Sequence, residues 1–149
     1  MRSKLLCQGV AAVSTGTATS TPILLIAANV GSYWAGDQAV PGEDMGFPSS
    51  GNAVVAVVLD DVAMAAGDTI KVLTSNNYYA DEGSSETFKA VATFTATTTY
   101  PGGTVGTPGS GAHTTIFLDR VPLGEAIEVS LTLAGCSDGG SFSAYLLST

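Results

Sequence analysis

The sequence predicts an all-β fold: an antiparallel β-sandwich, jelly-roll-like, with eight or nine strands and two long loops, in one domain over residues 1–149. Three observations predict it. Short β-rich segments recur along the chain, and two of them alternate apolar and polar residues with a period of two. No amphipathic run is long enough for an ordinary helix, so the crossover helices of a parallel sheet are missing. Clusters of Gly, Pro, Asn and Asp punctuate the segments as turns.

In chain order, Met1-Arg2-Ser3-Lys4 reads as a short basic arm, residues 1–4, ahead of an opening strand from Leu5 to Val13. Ile23 to Val30 is a second strand, and Ser32 to Ala35 is a candidate short addition. The stretch Ala53 to Leu59 is apolar throughout and β-branched, which predicts a strand covered on both faces. Asp60 to Ala66 is the best helical candidate, cut short by Gly67-Asp68. Thr69 to Thr74 returns to strand. From Phe88 to Ala96, Phe88, Ala90, Ala92, Phe94 and Ala96 take one face and Lys89, Thr93 and Thr95 the other. Thr114 to Asp119 follows. Ile127, Val129, Leu131 and Leu133 then alternate with Glu128, Ser130 and Thr132, and Phe142 to Leu147 closes the series. The loops at 37–52 and 100–113 have no periodicity, and connections of that length are usually functional.

An internal echo links two of these transitions. Leu59-Asp60-Asp61-Val62 leads to Gly67-Asp68-Thr69-Ile70, and Leu118-Asp119-Arg120-Val121 leads likewise to Gly124-Glu125-Ala126-Ile127. Both fit a chain crossing between sheets, where an acid and a glycine satisfy exposed backbone at the bend.

Composition excludes several function classes. The net charge is −8, and five basic residues cannot track a phosphate backbone, so no nucleic acid is expected as partner. The longest apolar runs fall far short of the ~18 residues of a membrane-spanning helix. A secretory signal is not expected, because Gln8-Gly9 interrupts the apolar stretch after the basic start. Cys7 and Cys136 either pair or stay as buried free thiols.

Catalytic chemistry needs clustered titratable groups, and His113 is the single histidine. A metal site of several imidazoles is excluded by count. The adjacent acids Glu43-Asp44, Asp60-Asp61 and Asp81-Glu82 would face opposite ways in a strand, so they predict no paired-carboxylate site. The Gly-rich loop lacks lysine and joins two strands, unlike a phosphate cradle. The expectation is therefore no enzyme, no cofactor and no metal. Trp34, Tyr78 and Tyr79 could form a stacking platform for sugars, with Asn76 and Asn77 nearby, or pack in the core or at an interface.

Gly, Ala, Ser and Thr together supply nearly half the residues, and charged residues only 12%. Low charge fits a chain that hides surface in an assembly. In this overall character the chain resembles the capsid decoration, or cement, proteins of tailed bacteriophages. The resemblance rests on the basic arm Met1 to Lys4, the apolar opening strand and the Gly/Thr-rich loops. It implies a non-enzymatic virion protein on the outer capsid surface, made in the host cytoplasm, with the major capsid protein as partner. It also implies a homo-oligomer, a trimer by the three-fold positions of capsid lattices. Arg2, Lys4, Met45, Phe47, Val105 and His113 are then the candidate contacts. The alternatives are a carbohydrate-binding or adhesin-like sandwich using Trp34, Tyr78 and Tyr79, and another phage tail or appendage subunit.

Overall fold

Segments rich in β-branched residues form strands because side chains branched at Cβ pack well on a pleated surface. The computed structural model describes residues 2–13, 15–24, 53–62, 64–75, 88–97, 113–124, 126–134 and 140–148. Its strands are β1 (Arg2–Ala11), β2 (Gly16–Thr19), β3 (Ile23–Leu24), β4 (Ala53–Asp60), β5 (Thr69–Ser75), β6 (Lys89–Thr95), β7 (His113–Val121), β8 (Ala126–Leu133) and β9 (Ser141–Ser148). Among the described residues there is no helix. The first sheet has the order β1-β9-β4-β7 and the second β2-β8-β5-β6, with the two-residue β3 pairing β8 beyond β2. Every pairing between these strands is antiparallel. The protein is an all-β sandwich.

One core lies between the sheets. Val55, Val57 and Leu59 of β4 lie beside Leu146, Ala144 and Phe142 of β9 in the first sheet, and Ile70, Val72, Ile127, Val129 and Leu131 come from the second. Burial of each large side chain contributes roughly 1.5–3 kcal/mol. The alternation in β8 positions its residues as expected: Ile127, Val129, Leu131 and Leu133 are buried in the core.

Several expectations need correction. Arg2, Ser3 and Lys4 form no free arm; they open β1 and pair with Ser148, Leu147 and Leu146. β4 is fully buried on one face only: on the other Ala56 is buried, but Val54 and Val58 are half-buried. The described residues of 60–66 form no helix. Asp61 takes a left-handed backbone (φ 54°) that ends β4, and Val62 and Met64 then both turn inward. Alternation in β6 breaks at Val91: Val72 pairs with Ala92 but Leu73 with Ala90, leaving Val91 as an extra residue. Ala90 therefore lies across from Leu73, off the core face. β2 was not anticipated, because a four-residue Gly-Thr-Ala-Thr segment carries almost no apolar signal.

The echoed corners do cross between sheets. β4 leads into β5 and β7 into β8, while β4 pairs with β7 and β5 with β8. The two units thus lie side by side and antiparallel, related by an approximate two-fold. Their equivalent residues Asp61 and Arg120 share the left-handed conformation, at φ 54° and 55°. The described residues that close the two long loops, Ala53 and His113, lie at opposite ends of β4. Ala53 sits beside Val121, whereas His113 sits beside Asp60.

Candidate interaction surface

The two outer faces differ in chemistry. On the first sheet, register aligns Leu5, Tyr145, Ala56 and Phe117 in one row across all four strands. Leu5 is 45% and Phe117 59% exposed, while Tyr145 and Ala56 lie between them, half-buried and buried. Leu147 and Val54 flank the row on one side, and Ser143, Val58 and Thr115 on the other. None of these positions carries a charge. The cause is local: each apolar residue here sits out of phase with its inward neighbours, as Phe117 does between the buried Ile116 and Leu118.

On the second sheet the outer face is hydroxylated. One row is Thr17, Thr132, Thr69 and Thr95, and the next is Thr19, Ser130, Lys71 and Thr93. The Thr17 and Thr132 hydroxyls are 2.7 Å apart. Cross-strand threonine pairs of this kind stabilise a sheet that faces water. Glu128 lies one step further along β8, opposite Leu73, and partial burial pushes its carboxyl up from the ordinary range.

Where the sheets' edges converge, a cleft of ≈ 340 Å³ opens between β6 and β7. Val91, Ala92, Thr93 and Phe94 line one wall and Phe117, Leu118 and Asp119 the other. Phe117 thus belongs both to the apolar row and to the cleft.

Two internal polar features hold the frame. The Asp68 carboxylate, 3% exposed, accepts the N–H of Ala65 at 2.8 Å and that of Ala134 at 3.0 Å. Its backbone continues the junction, with the Ala96 N–H donating to the Asp68 carbonyl at 2.9 Å. At this corner Gly67 supplies a positive φ of 94° and Asp68 satisfies the exposed backbone, as the echo predicted. Cys7 is a free thiol on β1. Burial pushes it up from its ordinary range, against hydrogen bonds with the Ala144 backbone and the Ser20 side chain. Ser20 in turn receives the Val129 N–H on its hydroxyl at 2.9 Å. Cys136 lies outside the described residues.

Of the sequence-predicted contacts, Arg2 and Lys4 lie on β1, and His113 opens β7 opposite Asp60. Met45, Phe47, Val105, Trp34, Tyr78 and Tyr79 lie outside the described residues. Leu5, Tyr145 and Phe117 were missed as surface residues; for Tyr145 and Phe117 the signal was an apolar residue between two apolar neighbours, and Leu5, between Lys4 and Leu6, gave none. No group of three metal-ligating side chains occurs among the described residues. The chain matches no protein-family model, and no match was found among curated proteins or solved structures.

Proposed function

We propose that this protein is a non-enzymatic structural component of a virion that binds and stabilises an assembled phage capsid. The observation that carries the reading is the uncharged apolar row Leu5-Tyr145-Ala56-Phe117 on a sheet face that would otherwise meet water. Exposed apolar area of that kind gains from being covered by a neighbour, and a protein that binds only the assembled shell stabilises it by mass action. The strand order supports the finer fold reading. β1-β9-β4-β7 facing β2-β8-β5-β6 is what two Greek keys wrapped as a jelly roll produce, an architecture used by capsid and lectin domains. On this reading the partner is the major capsid protein, the site is the outer capsid surface, and the working form is a homo-oligomer, a trimer on three-fold positions.

The test adds purified protein to undecorated capsids and measures co-sedimentation and rupture temperature. Saturable binding with a higher rupture temperature is the expected result, and no binding sinks the reading. The carbohydrate-binding alternative rests on Trp34, Tyr78 and Tyr79. A glycan array with alanine variants of those three residues separates it from the capsid reading.

A further inference from the structure

A sheet edge presents a row of backbone N–H and C=O groups that templates another strand unless something guards it. Among the described strands, three of the four sheet edges are guarded. β1 carries register shifts between Leu5 and Cys7 and between Cys7 and Val10, and Lys4 shares the core-side register position of Leu146. The β2 edge is only four residues long and gives way through Pro22 to the two-residue β3. β6 has its bulge at Val91 and the exposed Lys89. β7 differs. It pairs with β4 without a shift from His113 to Leu118, contains no proline, and sets Phe117 on the outside. Its other edge has no strand partner among the described residues.

We propose that the β7 edge over Thr114–Leu118 accepts an extended segment of another protein by β-strand addition in the cleft beside β6. The chemistry of the occupant follows from the lining. Val91, Phe94 and Phe117 call for large apolar side chains at alternate positions. Among the described residues Asp119 is the one charged residue lining the cleft, on a chain of net charge −8, so the segment is basic at the end that reaches Asp119. The inference deepens the capsid reading, on which it rests for the owner of the segment; the edge geometry stands without it.

The experiment uses the full chain and two probe peptides of alternating valine and threonine, one ended by lysines and one by glutamates. Binding is titrated at low and high salt, and amide exchange maps the protected strand. The lysine-ended probe should bind more tightly, more so at low salt, and protect β7 amides. Phe117→Lys should weaken it about tenfold and Asp119→Asn a few-fold. Phe117 is mostly exposed, so both variants should melt with the parent; Phe117→Ser, with the same exchange map, replaces Phe117→Lys if that variant does not fold. Protection of a different edge, no binding of either probe, or binding indifferent to Phe117 overturns the proposal. So does a concentration-dependent dimer abolished by Phe117→Lys, which would assign the edge to a second copy. Capsids separate the two readings. Parent and Phe117→Lys binding capsids equally defeats strand addition alone, whereas probe binding at β7 without capsid binding defeats the capsid reading alone.

Discussion

Asp68 shows how much one side chain can hold. Its two carboxylate oxygens reach Ala65, in its own corner, and Ala134, at the end of β8, so a single buried acid joins segments far apart in sequence. Asp68→Ala leaves two N–H groups without that partner, and the expected cost is about 3 kcal/mol, read as a lower urea midpoint at unchanged slope. Gly140 is constrained differently. A Cβ there would lie 2.5 Å from the Val62 side chain and 2.6 Å from the Asp61 carbonyl, which is why only glycine fits where β9 begins. Glu128 carries a pH signature. Its carboxyl is raised on folding, so the folded chain holds the proton more tightly than the unfolded chain does. Its contribution is therefore fully present below the ordinary glutamate range and is lost as pH rises through the raised value. Glu128→Gln should melt above the parent at neutral pH, and the gap should close on acidification. Solvent screening keeps the effect small.

At the scale of the strand, legibility depended on whether the pattern was local. The β8 alternation was readable because both neighbours, β2 and β5, run in regular register against it. In β6 the same kind of pattern misassigned Ala90, since a bulge is a property of a pair of strands and leaves no mark in one of them. β4 read as doubly covered because Val54, Ala56 and Val58 are as apolar as Val55, Val57 and Leu59; only the sheet's position shows which face meets the core. The two faces should differ sharply on mutation. Leu59→Ala, at the core face, should cost about 3 kcal/mol, while Phe117→Ser, on the outer face of neighbouring β7, should change stability by less than about 0.5 kcal/mol. Chemical denaturation of both variants checks this, and comparable losses would mean that the outer face is covered within the monomer.

For the molecule as a whole, both sheets contribute to one core, so they have no separate stability to lose. Phe142→Ala in the first sheet and Ile127→Ala in the second should each lower the melting temperature while leaving a single transition, followed by tyrosine fluorescence and far-UV dichroism together. Two resolved transitions would contradict a shared core. Pairings such as Arg2 with Ser148 close nearly the whole chain, which places folding in the slow regime of non-local β topologies, milliseconds to seconds. Sequence alone determined the all-β class, most of the strands and the acid-and-glycine corner, because period-two alternation, β-branching and turn chemistry act over a few residues. Tertiary structure decided the rest. Alignment of Leu5, Tyr145, Ala56 and Phe117 depends on the register of four strands drawn from opposite ends of the chain. That the outer edge of β7 has no strand partner among the described residues depends on which strands pair, and both are properties of pairing that no single segment encodes.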